Sequence, residues 1–382
     1  MTDIHYFDSA ATSRNDPDVM DVICDTMRRL YGNPSSLYRI GRDAAAIVSS
    51  AQDTMRDYIH ASDKDKIIFT SSGTEANNIA LSGIQEHYGH VYSSPIAHKS
   101  VTNHPFVRPL TVDQYGFIDL VALEADLGNC YYCENDPILV TVDVANNEIG
   151  TVQNIKKISE IAHKYDALLH CDATQSFATL RPDVQRAGID MLTCSFHKLG
   201  TPPGIGMLYV KDGIELSNSI WGGQQMYGLR PGTENVPYIA GANAAVKKLF
   251  NKDVAAEISK ITVLKKFIQT SLLDIPNSRL NGPVGMRMPN NINISFKDVD
   301  GESLVAALDK DGYCVSAGSA CNSKNYEPSH VLRAIGVPDE YIYGTIRITL
   351  DDKNTFSEAD ELVKLIKKHV RFLRSLKDSE KE

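Results

Sequence analysis

Between about residues 65 and 210 the chain alternates short apolar runs with stretches of helical spacing. The runs are IIFT (67–70), PILVTVDVA (137–145), ALLHC (167–171), MLTCS (191–195) and GMLYV (206–210). Runs that are short, apolar throughout and separated by helical stretches predict the strands of a mostly parallel sheet covered by helices. ISEIAHKYD, with Ile158, Ile161 and Ala162 at helical spacing, predicts a crossover helix from the second run to ALLHC. Near residue 250 the pattern changes. NINISF (291–296) and TIRITL (345–350) alternate with period two, SLVAALDK (303–310) is helical and YCV (313–315) is apolar, which together predict a smaller α+β unit. It ends in an amphipathic helix. Thr355 and Glu358 have capping-box spacing, and Ala359, Leu362, Val363, Ile366, Val370 and Leu373 form one apolar stripe.

Ligands of parallel sheets gather beyond the carboxyl ends of the strands, so the residues after each apolar run are the first place to seek chemistry. After IIFT comes Ser71-Ser72-Gly73-Thr74-Glu75, small and hydroxyl-bearing, at the start of a helix-compatible stretch that suits a phosphate. After PILVTVDVA come Asn146, Asn147 and Glu148. Asp172 and Gln175 follow ALLHC, and Ser195, His197 and Lys198 follow MLTC. Each alone reads as a helix cap, a turn acid or a solvated lysine. Together they match pyridoxal phosphate, which asks for an amine to form a Schiff base, a carboxylate facing the pyridine nitrogen and a helix terminus for the phosphate.

Composition narrows the reading. At 382 residues, 42% hydrophobic and 23% charged, the chain suits a soluble globular protein with one large core and a smaller one. A net charge of −9 offers no excess of cations for a nucleic-acid backbone or an anionic membrane surface, so neither is expected as a partner. No run approaches the roughly 20 apolar residues of a membrane helix. The polar, acidic opening and seven scattered cysteines point to a cytoplasmic protein with reduced thiols. Cys130-Tyr-Tyr-Cys133 has no second CxxC and no histidine pair. It reads as two incidental thiols in a connector, and no metal site is expected.

With these residues in place, the chain resembles a cysteine desulfurase of the NifS/IscS-like branch of the class V aminotransferases. The resemblance runs over nearly the full length. It is carried by Asp8-Ser9-Ala10-Ala11-Thr12, GNPSS (32–36), FTSSGTEANN (69–78), the His98 segment and ANNEIG (145–150), then by DATQS (172–176), SFHK (195–198), RPGTENV (230–236) and VSAGSAC (315–321). It implies the α/β type I fold of pyridoxal-phosphate-dependent aminotransferases, with a mostly parallel sheet in a large domain (15–248). A smaller α+β domain (1–14 and 249–382) then carries the catalytic cysteine loop.

The resemblance also implies roles. Lys198 is the Schiff-base lysine and moves protons at the substrate Cα; Asp172 faces the pyridine nitrogen; His98 stacks on the ring; Gln175 bonds the phenolic oxygen. Gly73, Thr74, Ser195 and His197 hold the phosphate, which Thr233 reaches from the other subunit of a homodimer. Asn147, beside the cofactor, and Arg347 take the carboxylate of L-cysteine, with Asn33 a further candidate. Alternation in TIRITL supports Arg347 independently, since it sends Ile346, Ile348 and Leu350 to one face and Arg347 to the other. Cys321, in the small and polar loop AGSACNSKNYE, is the expected persulfide carrier, with His98 as the base that helps it ionise. The product is L-alanine, and the sulfur goes to an acceptor such as an iron–sulfur scaffold or a thiolation protein. A selenocysteine lyase, another class V aminotransferase-like enzyme and a catalytically weak sulfur-transfer scaffold are the alternatives. The chain departs from the family pattern at Tyr38, at Phe196, at LGTPPG (199–204), at Pro231 and in lacking a Glu-Arg pair at 226 and 227.

Overall fold

The computed structural model describes residues 4–85, 90–133, 138–318 and 328–379. The five apolar runs form strands Lys66–Thr70, Ile138–Asp143, Leu168–Asp172, Met191–Ser195 and Gly206–Val210. They join His90–Ser93 and Val107–Pro109 in a sheet of seven strands among the described residues. Its order is Lys66–Thr70, Gly206–Val210, Met191–Ser195, Leu168–Asp172, Ile138–Asp143, His90–Ser93, Val107–Pro109. Gly206–Val210 runs antiparallel to both neighbours and the other pairs are parallel. The expected crossover helix is Ile155–Lys164, and its Ile158 and Ala162 are buried against the sheet. The two further strands escaped the sequence reading because HVYS mixes polar residues with apolar ones and Val107–Pro109 is a short edge strand.

One close approach shapes the end of this sheet at the Ser71–Thr74 turn. Gly206 sits in register with both Thr70 and Ser195, and a Cβ there would lie 2.5 Å from the backbone carbon of Ser72. Only glycine lets the antiparallel strand start under the Ser71–Thr74 turn.

The second unit is a four-stranded antiparallel sheet in the order Ser316–Ala317, Thr345–Thr349, Asn291–Phe296, Ser278–Leu280. Ile292, Ile294, Phe296, Ile346 and Ile348 bury one face against helices Val254–Leu273, Gly301–Lys310 and Phe356–Ser379. Phe7 belongs to the same core, because His5–Tyr6 pairs with Tyr313–Cys314. The capping box is real: Glu358 N–H donates to Thr355 Oγ1 (3.2 Å) and Thr355 N–H to Glu358 Oε2 (2.8 Å).

The opposite face of this sheet is polar yet also buried. Asn291 and Asn293 donate to the backbone oxygen of Glu148 at 3.0 and 3.2 Å, Asn281 bonds both Asn293 and Ser295, and Ser295 meets Thr345 at 2.6 Å. Period two therefore sorts apolar core from a hydrogen-bonded seam against the larger unit. Cys130 lies buried in helix Leu120–Cys133, which corrects the reading of CYYC as a connector. The side chain of Cys133 lies outside the described residues.

Gly206→Ala should destabilise the protein by about 2 kcal/mol through overpacking. Because it moves the Ser71–Thr74 turn, it should also weaken pyridoxal phosphate binding at least tenfold. Urea unfolding and a cofactor titration measure the two effects, and an unchanged affinity would contradict the close-approach argument.

Candidate active site

The carboxyl ends of Lys66–Thr70, Met191–Ser195, Leu168–Asp172 and Ile138–Asp143 open on one cleft of about 400 Å³. Gly73, Thr74, His98, Asn147, Asp172, Gln175, Ser195, His197, Lys198 and Arg347 all line it, so ten of the residues singled out from sequence share one space. Asn33 and Thr233 do not. Asn33 is exposed and its Oδ1 accepts from Ser35 N–H (2.9 Å), closing its own turn, and Thr233 is exposed and absent from the cleft lining. Cys321 lies outside the described residues.

One end of the cleft is built from the first turn of helix Gly73–Gln85. Ser72 Oγ accepts from Glu75 N–H (3.2 Å), capping the helix, while Glu75 is held by Ser71 N–H and by Arg230 Nε (2.9 Å). A Cβ on Gly73 would stand 3.2 Å from both Ser195 Cβ and Thr174 Oγ1, so the missing side chain keeps this corner open. Phe196, a departure from the family pattern, is fully buried against Phe177 behind the strand and does not enter the cleft.

Lys198 projects from a short 3-10 turn, and its Nζ donates to the carbonyl oxygens of Ala10 and Ala11. Burial, reinforced by Arg347, lowers its pKa to about 8, although Asp8 and Asp172 pull the other way. Gln175 Nε2 shares the Ala10 carbonyl at 3.0 Å. His197 Nδ1 lies 3.1 Å from Thr12 Oγ1, and burial beside Lys198 pushes its pKa down to about 4. The N-terminal segment thus forms one wall of the cleft.

Asp172 accepts from Thr174 N–H (2.9 Å) and from Asn77 Nδ2 (2.8 Å). Asp143 stands in register with it on the next strand and also lines the cleft, with Oδ1 buried and unpartnered. Burial, and then the charge of Asp172, raise the Asp143 carboxyl well above the usual carboxylate range.

Arg347 is anchored on three sides. Nη2 donates to Asp8 Oδ1 (2.8 Å) and Ser316 Oγ (3.0 Å), Nη1 donates to the Asn147 carbonyl (3.1 Å), and Nε is buried without a partner. The turn that presents Asn147 is folded by Asn146, whose Oδ1 accepts from Glu148 and Ile149 N–H at 2.9 Å, and by Gly150 at φ +74°. Glu148 in turn accepts from Ser329 Oγ, the cap of the helix that begins just after residues 319–327.

Asp8, Asn77, Ser100 and Asp143 are the site residues that the sequence reading left without a role. Asp143 had a visible signal, since VTVD and LLHCD both end in an acid at a strand terminus. Asn77 and Ser100 had none, because their importance is a matter of side chains meeting across separate helices.

The cleft fits pyridoxal phosphate. A desolvated amine, a hydrogen-bonded acid and an open helix start face one space, and the absent Gly73 side chain leaves room for a phosphate at that helix start.

The aminotransferase class-V model matches residues 5–362. Cysteine desulfurase IscS 1 of Archaeoglobus fulgidus is 39% identical over 383 residues, covering 97% of this chain and 98% of that one. Among solved structures, a NifS-like protein from Rickettsia africae superposes with a TM-score of 0.88 at 30% identity, covering 96% of this chain and 99% of its own. SspA in complex with cysteine superposes with a TM-score of 0.78 at 30% identity, covering 92% and 100%.

Lys198 should titrate in the apo-protein near pH 8. Only the neutral amine attacks an aldehyde, so covalent loading with pyridoxal phosphate, trapped by borohydride and read by mass, should fall about tenfold per pH unit below 8 and level off above about 9. A rate still rising at pH 10 would contradict the lowered pKa.

Proposed function

We propose that this chain, which belongs to the class V aminotransferase family and is a pyridoxal-phosphate-dependent cysteine desulfurase, takes sulfur from L-cysteine onto its own Cys321 and passes it to an acceptor protein. The observation that carries the reading is the convergence of the Lys198 amine, the Asp172 carboxylate, the Gly73 helix start and the Arg347 guanidinium on one cleft. The relative SspA, with cysteine in its structure, supports the amino-acid substrate.

Bound pyridoxal phosphate supplies an electron sink for the carbanion that forms at the substrate Cα. Lys198 would hold the cofactor, Asp172 would pair with its ring nitrogen, and Gly73, Thr74, Ser195 and His197 would hold its phosphate. Gln175 would bond the phenolic oxygen. Arg347, beside Asn147, would receive the substrate carboxylate. A two-point contact through Nε and Nη2 uses the free Nε–H and requires Nη2 to leave Asp8 or Ser316. Lys198 would take the substrate Cα proton and later return it; with a pKa of about 8 its neutral amine is available near neutral pH. The Cys321 thiolate then attacks the substrate sulfur. The new S–S bond forms as the C–S bond breaks, Cβ takes up a proton and Cα regains the one it lost, leaving L-alanine and a persulfide on Cys321.

We read residues 15–248 as the large domain and 1–14 with 249–382 as the small one, with the cleft between them. Thr233 is exposed and does not line the cleft of its own chain, and the family resemblance has it reach the partner's phosphate site, so the protein is read as a homodimer. The exposed Trp221 and Tyr227 nearby are consistent with that contact. A cytoplasmic setting is supported by free thiols at the five cysteines whose side chains are described. No helix of the described residues is long and apolar enough to cross a membrane. The acceptor is read as an iron–sulfur scaffold or a thiolation protein.

Cys321→Ser separates this reading from its rivals. The variant should bind pyridoxal phosphate and L-cysteine normally, release sulfide at less than one hundredth of the wild-type rate and carry no persulfide by mass spectrometry. Near wild-type sulfide release would point to a lyase with a bystander cysteine. Absence of cysteine-dependent sulfide from the wild-type protein would point to a scaffold.

A further inference from the structure

Asn77 and Ser100 stand between Asp172 and His98. Asn77 lies on helix Gly73–Gln85, 1% exposed, and Ser100 on the helical turn Lys99–Thr102 that His98 caps. Asn77 Nδ2 donates to Asp172 Oδ2 at 2.8 Å and to Ser100 Oγ at 2.8 Å. Ser100 Oγ lies 2.8 Å from His98 Nδ1, and the Ser100 backbone N–H reaches the same nitrogen at 3.2 Å.

The protons along these four residues can be assigned by counting donors. A carboxylate only accepts, so the amide nitrogen of Asn77 and not its oxygen must face Asp172; the oxygen is left buried without a partner. The second amide hydrogen points to Ser100 Oγ, which therefore accepts from Asn77. The Ser100 hydroxyl keeps its own hydrogen to donate, and His98 Nδ1 is the acceptor within reach. A second donor, the Ser100 N–H, converges on the same nitrogen. Nδ1 must therefore offer a lone pair, and the imidazole carries its proton on Nε2. Protonating Nδ1 as well would set an N–H against two donors. Burial, together with the charge of Lys198, also lowers the pKa of His98, although Asp172 opposes it.

We propose that Asn77 and Ser100 are positioning residues that tie His98 to Asp172 and hold it as the neutral Nε2–H tautomer, so that His98 meets cofactor and substrate as a hydrogen-bond donor and not as a base. What His98 faces rests on the proposed role of the cleft; its tautomer derives from the hydrogen bonds alone. The consequence revises the expectation that His98 deprotonates Cys321. An imidazole locked this way polarises an oxygen or nitrogen from Nε2, as neutral histidines do elsewhere, and leaves thiol deprotonation to another group.

The test is the tautomer itself. Protein labelled with 15N-histidine is studied as holoenzyme and as apo-protein by long-range 1H–15N correlation at pH 7.5, with His98 assigned by its loss in His98→Gln. Wild-type His98 should show Nε2–H over Nδ1–H by at least tenfold in both forms. Ser100→Ala should lower that ratio at least threefold, Asn77→Ala should shift it the same way, and Ser100→Thr, which keeps the hydroxyl, should restore it. An Nδ1–H or imidazolium His98 in the wild type, or a ratio that Ser100→Ala leaves unchanged, would overturn the proposal. Visible absorbance of the same samples reports cofactor loading. Loaded protein with the wrong tautomer sinks only this inference, whereas protein that keeps the tautomer but never takes up pyridoxal phosphate sinks only the functional reading.

Discussion

The guanidinium of Arg347 is where the two units of the chain meet. It comes from the small sheet, holds Asp8 of the N-terminal segment at 2.8 Å and reaches the carbonyl of Asn147 on the large unit's turn at 3.1 Å. Arg347 and Asp8 are both largely shielded from water, at 10% and 14% side-chain exposure. Removing one partner of such a pair costs about 3–5 kcal/mol, because the other charge is left without its counter-ion. Fixing Asp8 also fixes the residues just after it in the chain. The carbonyls of Ala10 and Ala11 hold the Lys198 amine, and the first also holds Gln175, so this ion pair anchors the segment against which Lys198 rests.

Desolvation governs the rest of the cleft. It lowers Lys198 to about 8 and His197 to about 4 and raises Asp143 far above the carboxylate range, in each case favouring the neutral form. Two acids at the ends of adjacent strands repel when both are charged. Asp172 accepts from Thr174 N–H and Asn77 Nδ2, while Asp143 Oδ1 has no donor and burial raises the Asp143 carboxyl. The strand ends thus deliver one reactive amine and one well-supported carboxylate.

Much of this was legible along the chain because it is local. Apolar runs bounded by helical stretches gave five of the sheet's strands, and the strand-end residues Thr74, Asp172 and Lys198 could be named before any packing was known. The direction of Gly206–Val210 was not legible, since a buried strand reads the same parallel or antiparallel. Nor was the polar seam of Asn291, Asn293 and Ser295, where period two tells a polar face from an apolar one but not what covers it. Asp8, Asn77 and Ser100 acquire their parts only when segments far apart in sequence meet: Asp8 bonds a residue 339 positions away and Asn77 one 95 positions away.

The claim that the cleft binds an amino acid through Arg347 is tested most directly by the half-saturating concentration of L-cysteine in Arg347→Lys. Lysine keeps the charge beside Asp8 but loses the planar two-point contact. A rise of about thirtyfold or more, with the cofactor spectrum and thermal midpoint near those of the wild type, is the result expected. A half-saturating concentration unchanged in a fully loaded, folded variant would show that the carboxylate docks elsewhere.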